Sequence, residues 1–435
     1  MKLTIDKVIY GGQGLARMPE DDAARAGLSV FVPFTLPGEI VEAAITQEHR
    51  GYSVAEARQI VEASEFRATP PCPWFAMCGG CQLQHGEYPY QVELKREMLR
   101  ESLTRAGVHD LPEVATLAGE PLRYRNRIRL QLQTRPEFSI GYRQAKSHRM
   151  TAIEGCPIAA PLLERCIVVV RTMGTSGLVP VDAQEIELFT NHDQSQLFVT
   201  VWARPHAGKR ETAYQGFFES LQREIPQMVG AQMLATNQGN GRLSKPPMHW
   251  GHQSVNYRVA GRDYTVSAGS FFQVNCALLD KFVDAVTGED SGALAWDLYA
   301  GVGLFSVALA ERFQQLIAVE SSAVACKDLR HNLRGTQAVY VQTQALNFLR
   351  QAVERRQPAP DLVLLDPPRA GAGVEAAKML AELGPQRIVY VSCDPATLGR
   401  DLAALIQSGY RLLRLQLVDM FPQTYHMETI ATLQR

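Results

Sequence analysis

Three apolar runs in the C-terminal part of the chain each lead straight into side chains capable of chemistry. RIVYVS is followed by Cys393-Asp394-Pro395, and DLVLL by Asp366-Pro367-Pro368-Arg369. LAWDLYA opens Asp297-Leu-Tyr299-Ala-Gly301-Val-Gly303, whose glycines let the backbone turn tightly and approach a ligand. Glu320 closes the next apolar run, where an acid can hydrogen-bond a ribose. A dinucleotide site calls for a third glycine at position 306. That residue is Ser306, which favours S-adenosylmethionine over NAD. A lone thiol after a buried strand is most often a packing residue. The aspartates and prolines around Cys393 instead set a rigid polar turn, on the edge where open parallel sheets bind ligands. A thiol placed there can act as a covalent nucleophile if a base assists. Glu428, in HMETIATL, is the candidate base, although a strand glutamate taken alone is more often a solvated surface group.

A second cluster is metal-like. Cys72-x5-Cys78-Gly-Gly-Cys81 supplies three thiols in a glycine-permissive loop, and Cys156 in EGCPIA is the distant fourth. Four thiolates suit zinc or an iron–sulfur cluster equally well. The chain's eight cysteines are too sparse for a disulfide framework. Cys166, Cys276 and Cys326 read as packing residues. His249 and His252 in HWGH have ligand-like spacing but no third partner, and read as structural. Arg123, Arg125, Arg127 and Arg129 alternate with Tyr124, Asn126 and Ile128, which in a strand puts all four guanidinium groups on one face. Between 123 and 149, eight Lys or Arg face one acid, Glu137, a stripe suited to tracking phosphates.

These groups need elements to hold them. At 435 residues the chain exceeds the usual single domain, and 46% hydrophobic with 20% charged residues fits a globular protein. A net charge of -1 decides nothing about nucleic acid, since a basic face can be offset elsewhere. No apolar run approaches the roughly 20 residues of a membrane span. The start MKLTIDKVIYGGQG lacks a signal-peptide core, so a cytoplasmic location is expected. Residues 1–62 carry alternating runs broken by Gly and Pro and predict a small β-barrel. YPYQVELKREMLRESLTRAG predicts an amphipathic helix through Val92, Leu94, Met98, Leu99 and Leu103. From Leu122 to Val266 strands and turns predict a mainly β domain, so that 63–266 forms the central unit. After Ser267, short apolar strands alternate with helices, which means a parallel sheet covered on both faces over 267–435. RLLRLQLVDM and HMETIATL, joined only by FPQTY, must run antiparallel.

SFFQVN at 270–275, DLYAGVGLFS, LLDPPRAG, VYVSCDPATLGRDL and DMFPQTYHMETIATL together resemble the successive motifs of the RNA 5-methyluridine methyltransferase family, over nearly the whole chain. The resemblance implies an α/β class I, Rossmann-like methyltransferase domain, preceded by an OB-like TRAM β-barrel and a mainly β central domain. GGQGLARM and VFVPFTLPGE are similar to that RNA-binding barrel. Carbon 5 of uracil is a poor nucleophile. A thiolate adding to carbon 6 makes an enolate whose carbon 5 can take a methyl group, after which a base removes the carbon 5 proton. By resemblance Cys393 is that nucleophile and Glu428 that base, while Gln273, Tyr299, Gly301, Gly303, Glu320 and Asp366 hold S-adenosylmethionine. The target base must be single-stranded or flipped out. CPWFAMCGGCQLQH resembles the family's iron–sulfur signature and implies a [4Fe-4S] cluster on Cys72, Cys78, Cys81 and Cys156, bracing the β domain. One departure is that Gln342 and Gln344 stand where members commonly carry an acid near the adenine. Barrel and cysteine loop together imply by analogy a 23S rRNA enzyme rather than a tRNA enzyme, and a monomer is expected. Two other readings compete. An iron–sulfur oxidoreductase is opposed by Ser306 and the lack of a flavin signature, and an inactive RNA-binding assembly factor by the set Cys393, Glu428 and Gln273.

Overall fold

The computed structural model describes residues 1–19, 26–145, 147–204, 211–235 and 247–435. Lys146, in the basic stripe, lies outside the described residues. Five strands, Lys2–Ile9, Gln13–Arg17, Ser29–Pro33, Ile40–Glu48 and Tyr52–Glu62, close into a barrel. Their period-2 alternation sends Leu3, Ile5, Ala16, Val30, Val32, Val41 and Ala55 into its core. The turn and strand sequences therefore produce a barrel without edges, the form that a short, highly alternating β segment needs to avoid exposed pairing groups.

The middle of the chain builds a seven-stranded sheet in the order Met248–Gly251, Met228–Ala235, Leu197–Ala203, Ala183–Thr190, Arg127–Gln133, Ser139–Arg143, Met150–Ala152. Two helices that the strand-and-turn reading did not anticipate, Pro161–Thr175 and Glu211–Glu224, share its core. Their signal was present in the sequence. Leu162, Leu163, Cys166, Ile167, Val170 and Met173 recur at helical spacing after a proline at the first turn, and Tyr214, Phe217, Phe218 and Leu221 do the same.

The third unit is an eight-stranded sheet ordered Val339–Gln342, Phe313–Glu320, Gly292–Leu298, Leu362–Leu365, Arg387–Ser392, Glu428–Gln434, Arg411–Val418, Val114–Leu117. The first five strands run parallel, and Glu428–Gln434 runs antiparallel to both of its neighbours. The edge strand Val114–Leu117 and the helix Tyr88–Arg105 come from the segment assigned above to the central unit. Leu94, Met98, Leu99 and Leu103 on that helix pack into one core with Leu398, Leu402, Leu405, Leu415 and Leu417. Residues 88–117, expected within the 63–266 unit, thus join the third unit, where their apolar stripe is buried with its helices and sheet and with Val8 and Leu36 of the barrel. Gly399 permits the helix contact, since a Cβ there would come within 2.6 Å of the Ala106 Cβ.

The same helix buries a charge. Lys95 and Asp419 are both fully shielded, with Nζ 2.6 Å from Oδ1, and Nζ also donates to the Phe421 carbonyl at 3.0 Å. Removing one partner of such a pair strands the other in a low-dielectric site. Lys95→Ala is expected to lower unfolding free energy by about 3–5 kcal/mol in urea titrations. The apolar double variant Lys95→Met/Asp419→Leu should recover most of that loss.

Candidate active site

The loop after strand Gly292–Leu298 takes the tight path its glycines suggested. Gly301 and Gly303 have φ of 56° and 91°, and Tyr299 is held at 66°, a conformation that non-glycine residues adopt only when their surroundings compel it. Glu320 supplies part of that compulsion. Its Oε2 accepts from the Gly301 amide at 2.9 Å, and its Oε1 from the amides of Ser321 and Ser322, both at 2.7 Å. Ser306, the residue in place of a third glycine, donates to Oδ2 of the buried Asp297. Burial pushes the Asp297 carboxyl up to about 7, with Asp366 and Glu320 adding to the push. Burial likewise raises Asp366 to about 7. The segment before Gln273 is fixed by Asp328, which accepts from the amide and hydroxyl of Ser267 and from the Ser270 hydroxyl, and the Gln273 carbonyl accepts from Asn126 Nδ2 at 3.0 Å. Gln273 is buried, and its Oε1 has no partner among the described residues.

Cys393 and Glu428 are juxtaposed by strand register. Ser392 pairs with Thr429 in the antiparallel ladder, so the residue after the first strand and the residue that opens the second lie side by side. Burial drives the Cys393 thiol up to about 12, the neighbouring charges of Glu428 and Asp366 add to it, and Arg369 opposes them. Glu428 is 4% exposed with Oε2 unpartnered among the described residues, and burial and Asp366 raise its carboxyl well above the usual range. Arg369, from the Asp366 turn, also lies 3.3 Å from His426 Nδ1. Burial, with Arg369, Lys95 and Arg125, lowers the His426 imidazole to about 4 and keeps it neutral at pH 7. The barrel reaches this site too. Tyr10 Oη donates to the Cys393 carbonyl and to Asp394 Oδ2, each at 3.4 Å, and its ring meets Tyr425 edge-on at 5.3 Å. Neither His426 nor Tyr10 was singled out from the sequence. His426 adjoins the Glu428 motif, but nothing in the order of residues ties Tyr10 to position 393.

The four cysteines Cys72, Cys78, Cys81 and Cys156 line a single cavity of about 380 Å³, together with Tyr142, Arg125 and His426. Among the described residues, no three His, Cys, Asp or Glu side chains converge closely enough to hold one metal ion. The arginine stripe is only partly as expected. Tyr124, Asn126, Ile128 and Leu130 are buried in alternation, but Arg123 has φ 58° and the regular strand starts at Arg127. Arg127 stacks on Phe189 and donates to the Ser270 carbonyl, while Arg129 stacks on Trp202 and pairs with Glu185. Gln342 and Gln344 are exposed, Gln342 closing the edge strand in register with Glu320 and Gln344 capping the helix that follows, and His249 and His252 are exposed as well. Cys166 and Cys326 are buried, whereas Cys276 is only half-buried.

A family model described as tRNA (Uracil-5-)-methyltransferase matches residues 241–435, and one for the TRAM domain matches residues 1–57. A 23S rRNA (uracil(1939)-C(5))-methyltransferase of Chromohalobacter salexigens is 33% identical, with 100% of this chain and 89% of that protein covered. The enzyme of the same name from Pectobacterium atrosepticum is 32% identical over 99% of this chain and 93% of its own length. An RNA methyltransferase of Aquifex aeolicus is 31% identical over 100% and 98%. The chain belongs to the RNA (uracil-5-)-methyltransferase family. This RNA uracil-C5 methyltransferase shares its fold with the solved Pyrococcus abyssi tRNA (uracil-54, C5)-methyltransferase, determined with S-adenosyl-L-homocysteine, at a TM-score of 0.77, 24% identity and full coverage of both chains. Its N-terminal barrel is the TRAM domain. Among the described residues, no helix is long and apolar enough to cross a membrane.

The raised thiol has a measurable consequence in the free enzyme. Only the thiolate alkylates, and a thiol at about 12 is almost wholly protonated at pH 7. Iodoacetamide labelling of Cys393, followed by peptide mass spectrometry, is expected to accelerate about tenfold per pH unit through the neutral and mildly alkaline range. A plateau near the ordinary thiol value of about 8.5 would contradict this assignment.

Proposed function

We propose that this enzyme methylates carbon 5 of one uridine in 23S rRNA with S-adenosylmethionine as donor, working as a monomer in the cytoplasm. The observation that carries the reading is the side-by-side placement of Cys393 and Glu428, the latter with a buried, unpartnered carboxylate oxygen. Bound at the glycine loop, S-adenosylmethionine supplies an electrophilic methyl group. Tyr299, Gly301, Gly303, Glu320, Asp366 and Gln273 are the residues we assign to holding it, and the crowded carboxylates suit its positive charge. Cys393 gives up its thiol proton to solvent, the thiolate Sγ bonds to carbon 6 of the uracil, and the displaced electron pair moves to the carbonyl as an enolate. Carbon 5 then takes the methyl group. Glu428 removes the carbon 5 proton, and the electrons left behind expel the thiolate from carbon 6. Glu428 must be ionised to take this proton; Arg369 favours its charged form, and burial makes the ionised carboxylate a strong base.

The preference for 23S rRNA is supported by the names of relatives at 32–33% identity that span the chain, and by the presence of both barrel and cysteine loop. We further propose that Cys72, Cys78, Cys81 and Cys156 hold a [4Fe-4S] cluster with a structural role. A cube of iron and sulfide takes one thiolate at each of four separated corners, whereas zinc needs all four about 2.3 Å from one point. That the four cysteines line one cavity is what supports a shared ligand, and the likeness of the cysteine loop to the family's iron–sulfur signature is what favours the cluster.

Cys393→Ala is expected to yield no 5-methyluridine and no covalent adduct with 5-fluorouridine RNA, whereas adduct formation or methylation by that variant would refute the nucleophile. Mapping 5-methyluridine in rRNA and tRNA from cells with and without the gene tests the substrate. Loss confined to tRNA would overturn the rRNA assignment. For the cluster, anaerobically purified protein should contain iron and acid-labile sulfide, and Cys81→Ser should lose both along with thermal stability.

A further inference from the structure

Gln423 lies in the segment that joins strand Arg411–Val418 to strand Glu428–Gln434, shortly before the proposed base. It is 4% exposed and held at φ 69°, a left-handed conformation that costs a non-glycine residue on the order of 1 kcal/mol. Such strain persists only where the surroundings over-determine it. Here they do. The Gln423 carbonyl accepts from the amides of Gln82 and Leu83 at 3.1 and 3.0 Å. Its own amide donates to Gln91 Oε1 at 3.2 Å, and its Oε1 accepts from Gln91 Nε2 at 3.0 Å. Gln91 is itself pinned by donating to the Gly86 carbonyl at 2.8 Å. On either side, Lys95 holds the Phe421 carbonyl, Tyr124 Oη holds that of Pro422 at 3.0 Å, and Tyr10 packs on Tyr425. Gln82 and Leu83 directly follow Cys81, so the cysteine loop and the helix behind it grip the segment that delivers Glu428.

We infer that Gln91 and Gln423 are positioning residues for proton abstraction, through which the cysteine loop sets the carboxylate of Glu428 against carbon 5. The inference rests on the reading of Glu428 as the base. It separates two halves of the reaction. Bond formation by Cys393 and methyl transfer make no use of Glu428, so they continue when the segment relaxes. The carbon 5 proton then stays in place, the carbon 6 to sulfur bond cannot break, and the enzyme remains attached to methylated RNA.

Gln91→Leu removes both bonds between its side chain and Gln423, whereas Gln423→Gly removes only the one accepted by Gln423 Oε1, keeps the backbone amide and accepts φ 69° without strain, so that at least one folded variant is available. Each is incubated with S-adenosylmethionine and RNA containing ordinary uridine, alongside Glu428→Gln, and melting temperatures are recorded. The expected result is a kcat reduced on the order of tenfold or more with KM for RNA nearly unchanged, and an enzyme–RNA complex carrying the methyl group that survives denaturing electrophoresis. Folded variants with reduced kcat but no such complex, or with unchanged kcat, would overturn the inference while leaving the base intact if Glu428→Gln does trap the complex. If Glu428→Gln itself traps nothing, the base reading fails and takes this inference with it.

Discussion

The antiparallel insertion of Glu428–Gln434 between Arg387–Ser392 and Arg411–Val418 is the constraint on which the site depends. In a sheet that was parallel throughout, the chain would return to the carboxyl edge only after a crossover helix, and the last strand would begin at the opposite end. Reversing one strand brings its first residue, Glu428, to the edge where Cys393, Asp366 and the Tyr299 loop already end. Register does the rest, because a shift by one residue would turn Glu428 to the other face of the sheet.

Crowding acids beside a thiol has an electrostatic cost that the free enzyme carries visibly. Asp297, Asp366 and Glu428 are all pushed toward their neutral forms, and Cys393 is held as a thiol. A site in this state is poorly reactive until positive charge arrives or a proton leaves. Arg369 is the resident cation beside Cys393 and Glu428, and the neutral His426 next to it adds no further charge.

The three units are woven rather than strung. The TRAM barrel contributes Tyr10 to the Cys393 turn, the cysteine loop contributes the amides of Gln82 and Leu83 to Gln423, and the helix Tyr88–Arg105 contributes Gln91 and the buried Lys95. Each contact falls on the two turns that carry the reacting side chains. Barrel, cysteine loop and helix thus all contact the turns at Cys393 and Gln423.

Much of this was legible in the order of residues. Apolar runs ending in Cys393, Asp366 and Glu320 predicted the strand edge, because side chains that follow a buried strand must emerge at its end. The short FPQTY link predicted the reversed final strand, and Cys-x5-Cys-x2-Cys predicted a thiol-rich loop. These are local signals of period, turn length and spacing, which the chain carries without reference to its fold. The helices within 122–266 were equally local and were obscured by the strands around them. What the sequence could not contain is proximity between segments hundreds of residues apart. That Lys95 would be buried against Asp419, that Tyr10 would touch the Cys393 turn, and that Gln91 would clasp a strained Gln423 depend on which faces pack together. Individual residues determined the chemistry available to this protein, while tertiary packing alone decided where the base stands and what holds it there, since a hydrogen bond acts through distance in space and leaves no period in the chain.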